Sequence, residues 1–146
     1  MSPLSQTQIQ LSGRLAKAAQ ALVKTPFKRQ GRTREGLDCV GLVLMAAQSV
    51  GVDLSAHDET TYGAQPNPVL LRQRLDAAFN QAQSLGVGSV LLMTVPDIGA
   101  THVGVVAERN GVLTLVHASD SRGEVIEHRL DGATRKKINT IYELKG

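Results

Sequence analysis

The chain has 146 residues, which suggests one domain over residues 1–146. It is 42% hydrophobic and 20% charged, with a net charge of +3, and a domain of this size buries roughly 68–70% of its unfolded surface without needing disulfides or a structural metal. A single cysteine excludes an intramolecular disulfide, and no apolar run reaches the ~18 residues that a membrane span needs.

Three helices are predicted before the strands, over about residues 7–24, 39–50 and 68–83. Pro26 ends the first of them, after leucines and alanines at helical spacing. The second is apolar nearly all round, which predicts a buried central helix, with Asp38 as its N-cap and Gly51 at its C-terminal end. Asn67 caps the third, and Pro68 occupies its first position.

Short strands are predicted in the second half of the chain, over residues 89–94, 102–107, 112–117, 124–128 and 138–144. Helices followed by closely spaced strands indicate an α+β fold with a mostly antiparallel sheet of about five strands.

Asn110 and Gly111 between two apolar runs predict a hairpin. A two-residue turn and a four-residue loop both place His102 and His117 on the same face of the sheet, because strand side chains alternate with a period of two. Their Cβ atoms would lie about 5 to 8 Å apart. Gly104 shares that face, and we expect the buried helix to pack there and bring Cys39 to the imidazoles.

Cys39, His102 and His117 are therefore candidates for nucleophilic chemistry. The N-terminus of a helix favours a thiolate, so Cys39 would be the nucleophile, with its backbone N–H stabilising an oxyanion. His102 would be the general base, and His117 would orient it. Two other interpretations remain open: each residue is structural, or the three hold zinc with a water as fourth ligand. His57 and His128 are expected to be solvated.

The basic residues cluster in 24–34 and 135–137. They form either two solvated faces or a surface that attracts an anionic polymer such as DNA or cell wall. Without interleaved aromatic residues or a nucleic-acid motif, we expect no nucleic-acid partner, and we expect no membrane partner.

Residues 24–43 resemble the cysteine motif of the NlpC/P60 cell-wall peptidases, since they read KTPFKRQGRTREGLDCVGLV. Three later segments resemble the strands of that family in the same order: GSVLLM from Gly88, THVGVV from Thr101, and VHAS from Val116. The resemblance spans about residues 24–120, and its motifs are specific when taken together.

The resemblance implies a papain-like fold in which the cysteine helix packs on an antiparallel sheet. It implies hydrolysis of the peptide stems of peptidoglycan, commonly between D-glutamate and a diamino acid, with no cofactor. It assigns Cys39, His102 and His117 to a catalytic triad, and it suggests that Asp38 helps to bind the substrate amine.

Three positions depart from the family pattern around the cysteine. Phe27 replaces a tyrosine, Arg29 a tryptophan, and Val40 the serine that often contacts the stem peptide. Phe27, Val40 and Asp38 are therefore the candidate substrate-binding residues.

These departures resemble a subgroup of small proteins from tailed phages and gene-transfer agents. The hypothesis is a peptidase made in the bacterial cytoplasm without a signal peptide, carried in a virion tail with tail-tip proteins as partners, and acting in the periplasm or cell wall. Alternatives are an interbacterial amidase effector, a catalytically vestigial tail-tip protein, and an acyltransferase or thioesterase on a related fold.

Overall fold

The computed structural model describes residues 6–58 and 66–145. The helices are α1 Gln6–Gln20, α2 Cys39–Ser49, α3 Pro68–Ala78 and α4 Gly132–Arg135, with a short 3-10 turn at Ser55–His57. The strands are β1 Arg32–Thr33, β2 Gly36–Leu37, β3 Phe79–Gln81, β4 Val90–Val95, β5 Gly99–Arg109, β6 Val112–Ser119, β7 Glu124–Arg129 and β8 Ile138–Leu144. The α+β prediction is confirmed.

The main sheet has six strands in the order β3-β8-β4-β5-β6-β7, and every pairing in it is antiparallel. The β5–β6 hairpin uses the two-residue turn, since Arg109 pairs with Val112. Asn110 and Gly111 both adopt positive φ, at 54° and 80°, which is the type I′ geometry that matches the twist of the strands. β1 and β2 form a separate two-stranded ribbon just before α2.

Helices α1, α2 and α3 cover one face of the main sheet. Val103 and Val105 of β5 lie in a core cluster with buried side chains of α1, α2 and α3, whereas Val106 and Leu115 lie in a second, smaller cluster on the other face. Burying one such Leu or Val side chain contributes about 1.5–3 kcal/mol, so the larger cluster dominates stability. No helix in the described part of the chain combines the length and hydropathy needed to cross a membrane.

The expectation that α2 packs on the face of the two histidines is wrong. His102 alternates with Val103, and His117 with Val116, so both imidazoles project from the face opposite α1, α2 and α3. Gly104 makes room there for the neighbouring strand rather than for a helix. A Cβ at Gly104 would lie 2.8 Å from Leu115 Cδ1 and 3.2 Å from His117 Cβ.

Two predicted helix ends also differ. α1 ends at Gln20 rather than at about residue 24, and a turn connects its end to Lys24. α3 ends at Ala78, because Phe79 is extended and pairs with Leu144 of β8. Pairing with β8 overrides the helical sequence pattern at Phe79, and β3 becomes a sixth strand of the main sheet, where five were predicted.

We predict that Gly104→Ala lowers the free energy of unfolding by about 1–3 kcal/mol, because its methyl group would overpack against Leu115 and His117. Gly86→Ala is the matched control, since no atom lies within 4 Å of a Cβ built there. Urea unfolding of both variants measures the difference, and equal midpoints would contradict the close approach at Gly104.

Candidate active site

Asp38 caps the N-terminus of α2. Its Oδ1 accepts a hydrogen bond from the backbone N–H of Gly41 at 2.8 Å, as the sequence predicted for an N-cap. The same carboxylate accepts from Arg32 Nη1 at 2.8 Å and from the backbone N–H of Gln30 at 3.0 Å. Only 4% of Asp38 is exposed, so these charge-assisted contacts are weakly screened, and they fix the helix start that carries Cys39.

Arg32 connects this cap to a second acidic residue. Its Nε and Nη2 donate to the two carboxylate oxygens of Asp58, each at 3.0 Å. The guanidinium thus holds the ribbon of β1 and β2, the start of α2 and the 3-10 turn in one arrangement.

Cys39 lies at the first position of α2 and is 6% exposed. Its thiol donates to the carbonyl of Thr101 at 4.0 Å, rather than to the ring of His102. The backbone N–H of Val103 also contacts the sulfur. The thiol therefore lies against the β5 backbone on both sides of His102, although α2 packs on the opposite face from the imidazole.

The β5 backbone is irregular at this point. Met93 pairs with His102, but Thr94 pairs with Ala100, so Thr101 is an extra residue in the ladder. On the other side, the β5–β6 ladder ends at the pair of Val105 and Val116. The bulge takes Thr101 out of the regular ladder, and its carbonyl is the one that accepts from the Cys39 thiol.

Three imidazoles form a continuous hydrogen-bonded chain on adjacent strands. His102 Nε2 lies 2.9 Å from His117 Nδ1, so the predicted shared face of these two residues is confirmed. His117 Nε2 lies 2.9 Å from His128 Nε2, and His128 Nδ1 lies 2.9 Å from the carbonyl oxygen of Arg129. His128 was expected to be solvated, but it is half-buried and extends the chain instead.

No group of three or more His, Cys, Asp or Glu side chains within residues 6–58 and 66–145 is arranged to hold a metal ion. The ring nitrogens of His102 and His117 that approach each other are joined by a hydrogen bond, so they do not converge on a common ion. The geometry therefore does not favour the zinc interpretation.

Cys39 and His102 line one cleft of about 150 Å³. Phe27 and Asp38 also line it, together with three polar residues that the sequence analysis did not select as site residues: Arg29, Thr101 and Asp120. Neither His117 nor His128 reaches this cleft; they line a cavity of about 160 Å³ on the other side of His102.

Val40 lies outside the Cys39 cleft. It lines a neighbouring apolar groove with Leu71 and Arg74. The two candidate substrate-binding residues Phe27 and Asp38 are thus brought beside the thiol, whereas Val40 is not.

Burial keeps the reactive groups of the site neutral. Burial, followed by the Asp38 carboxylate, raises the pKa of the Cys39 thiol to about 12. Burial lowers the pKa of His102 to about 4, although Asp38 acts in the opposite direction. Burial also lowers the pKa of His117 to about 3. Burial therefore opposes the thiolate that we expected at the helix N-terminus, because the cost of removing the charge from water outweighs the helix dipole.

His128 carried a signal that the sequence analysis did not use. β6 and β7 pair antiparallel, with His117 opposite Ile126 and Leu115 opposite His128. Residues 126 and 128 share one face by alternation, so the parity argument that joined His102 to His117 extends to His128 once the β6–β7 register is known.

We predict that alkylation of Cys39 by iodoacetamide accelerates steadily with pH to beyond about 9, because the thiolate is the reactive form and the pKa of this thiol is raised to about 12. The same protein in urea is the control, and its rate should level off above the ordinary cysteine pKa of about 8.5. The chain has one cysteine, so the adduct is unambiguous. A plateau near neutral pH in the folded protein would instead show a preformed thiolate–imidazolium pair.

The folded chain is similar to several solved structures. It has a TM-score of 0.66 and 12% identity to an N-acetylmuramoyl-L-alanine amidase from Bacteroides uniformis, covering 94% of this chain and 100% of that one. For the NlpC/P60 domain of the peptidoglycan hydrolase SagA the TM-score is 0.59 and the identity 16%, covering 91% of this chain and 98% of that one. These likenesses show a shared fold.

A third similar structure, NlpC1 from Trichomonas vaginalis, has a TM-score of 0.63 and 16% identity over 97% of this chain, but the match spans only 46% of that protein. The comparison with curated proteins finds no match. The family model of the NlpC/P60 family matches residues 24–142, which include Cys39 and all three linked histidines. The chain therefore belongs to the NlpC/P60 family, with the papain-like fold that its sequence motifs implied.

Proposed function

We propose that this protein is a cysteine peptidase that hydrolyses the peptide stems of bacterial peptidoglycan, with Cys39, His102 and His117 as its catalytic triad. The observation that carries the proposal is the joint placement of Cys39 and His102 on one cleft, with His102 hydrogen-bonded to His117. Membership of the family adds support, as do the peptidoglycan hydrolase and the amidase among the similar structures.

In the first half of the reaction, Cys39 Sγ attacks the carbonyl carbon of the scissile amide while His102 takes the thiol proton. The resulting oxyanion is stabilised by the backbone N–H of Cys39, one of the donors that the first turn of α2 leaves without an intrahelical partner. The C–N bond then breaks, the proton passes from His102 to the leaving amine, and the acyl group remains on sulfur as a thioester.

In the second half, His102 takes a proton from water as the water oxygen attacks the thioester carbonyl. The C–S bond breaks, the proton returns to sulfur, and a carboxylic acid product leaves. His117 holds the ring of His102 in orientation through both steps by its hydrogen bond to Nε2.

The side chains that line the cleft suit a substrate that carries both positive and negative groups. Asp120 provides a carboxylate and Arg29 a guanidinium, whereas the carboxylate of Asp38 is already paired with Arg32. A stem peptide with a free amine and free carboxylates is complementary to this arrangement. We favour the bond between D-glutamate and the diamino acid over the bond to the sugar, as the resemblance of the cysteine motif implies.

Digestion of purified peptidoglycan and of defined stem peptides tests the proposal. The wild type should release new amino termini from the stem, and Cys39→Ala should reduce the rate at least about a thousandfold, because the nucleophile is lost. Ile9→Ala, at an exposed site on α1, is the control and should retain full activity. Mass spectrometry of the products identifies the broken bond.

Equal rates for wild type and Cys39→Ala would contradict the catalytic role of the thiol. Wild-type inactivity on every wall chemotype would instead favour the vestigial tail-tip protein, which the departures at Phe27 and Val40 allow. Cleavage of only the muramoyl amide would favour an amidase.

We also propose that a tail particle delivers the enzyme to the cell wall, after synthesis in the bacterial cytoplasm. The support is the resemblance of Phe27, Arg29 and Val40 to the phage and gene-transfer-agent subgroup. Mass spectrometry of purified tail particles should detect the chain together with tail-tip proteins. If the protein is absent from tail particles and is found only among proteins that the cell secretes into neighbouring bacteria, the interbacterial effector is favoured.

A further inference from the structure

The chain of imidazoles ends on a group that can only accept a hydrogen bond. His128 Nδ1 lies 2.9 Å from the backbone carbonyl oxygen of Arg129. A carbonyl has no hydrogen to donate, so Nδ1 of His128 must carry the proton of this bond. In the neutral ring the other nitrogen, Nε2, is then bare and is an acceptor.

This single assignment fixes the direction of every bond along the chain. The bare Nε2 of His128 accepts from Nε2–H of His117 at 2.9 Å, which leaves Nδ1 of His117 bare. That Nδ1 accepts from Nε2–H of His102 at 2.9 Å. Nδ1 of His102 is consequently the bare nitrogen, and a bare nitrogen is what a general base needs.

Three adjacent strands supply one imidazole each, so the sheet sets the spacing of the chain. His102 is on β5, His117 on β6 and His128 on β7. The ring centroids are 5.0 Å apart in both pairs, and the rings stand nearly perpendicular to each other. The absence of a side chain at Gly104 gives His117 its room beside β5.

We propose that His128 is a positioning residue for the reaction at Cys39: through His117, it and the Arg129 carbonyl hold His102 in the tautomer whose Nδ1 is bare. This inference rests on the proposed function of Cys39 and His102. It adds a fourth residue, remote from the cleft, that determines which nitrogen of the base is free.

The charges around the chain favour neutral inner rings, in which the tautomer matters. Lys137 opposes a positive charge on both His102 and His117, whereas Asp38 favours one on His102. Burial is the largest influence and lowers the pKa of His102 to about 4 and that of His117 to about 3. Beyond the outer ring lie Arg129 and Asp131, and the pKa of Asp131 is lowered mainly by hydrogen bonds from Thr134 and to a smaller extent by His128.

NMR of nitrogen-labelled histidine tests the tautomers directly and needs no substrate. At about pH 8, above the ordinary histidine pKa of about 6.5, the nitrogen shifts separate N–H from bare ring nitrogens. We expect His102 and His117 to carry hydrogen on Nε2, and His128 on Nδ1. A proton on Nδ1 of His102 in the wild type would overturn the proposal.

Two substitutions at His128 separate the tautomer effect from a structural one. His128→Gln can place its amide oxygen where Nε2 of His128 accepts the hydrogen bond from His117. His128→Leu fills a similar volume without an acceptor. His128→Leu should mix the tautomers of His102 and His117 and lower kcat on a stem peptide roughly tenfold with KM unchanged. His128→Gln should restore the single tautomer and most of kcat.

His57→Leu and His57→Gln are the matched controls, because His57 is a histidine outside the chain of imidazoles and should leave kcat unchanged. If His128→Leu retains both the wild-type tautomers and the wild-type kcat, the positioning role is wrong. A wild type that lacks activity would count against the proposed peptidase alone, since NMR of the wild type still decides the tautomer of His102.

Discussion

The ion-paired cap of α2 positions the rest of the site. Asp38 accepts from the helix backbone and from Arg32 while almost fully buried, and Arg32 in turn holds Asp58. These contacts set where α2 begins, and the first residue of α2 is the cysteine. A buried carboxylate with charge-assisted partners is costly to displace, so the thiol has a fixed location against β5.

The same buried environment determines how the proposed reaction handles protons. Burial, and after it the Asp38 carboxylate, raises the pKa of the Cys39 thiol, and burial also lowers the pKa of His102. Neutral thiol and neutral imidazole are therefore the resting partners. In the proposed mechanism the proton leaves sulfur as the S–C bond forms, which makes the tautomer of His102 decisive, and the sheet rather than a carboxylate sets that tautomer.

The sequence was informative where a local rule sufficed. The Asn110–Gly111 turn and strand alternation brought His102 and His117 to one face, and capping rules located the start of α2. It was insufficient where long-range packing decides the outcome. The choice of sheet face for α2, the pairing of Phe79 with β8 and the contact of His128 with His117 all depend on residues distant in the chain. The raised pKa of the Cys39 thiol comes mainly from burial, and the rule that a helix N-terminus favours a thiolate does not take burial into account.

The cleft combines features that the motif resemblance alone did not specify. Arg29 stands where the family has a tryptophan, and it faces a cleft that also holds Asp120. A more polar wall than the family pattern implies is consistent with a charged stem peptide as substrate. The fold is shared with distantly related structures, whereas Arg29 and Asp120 in the Cys39 cleft are features of this chain.

Covalent attachment of substrate to Cys39 is the central claim, and rapid-quench mass spectrometry of the intact protein with a stem peptide tests it most directly. The account predicts a transient thioester on Cys39 with the mass of the acyl fragment, and release of the amine product before the acid product. Steady turnover with both products released together and no adduct on the protein would contradict it.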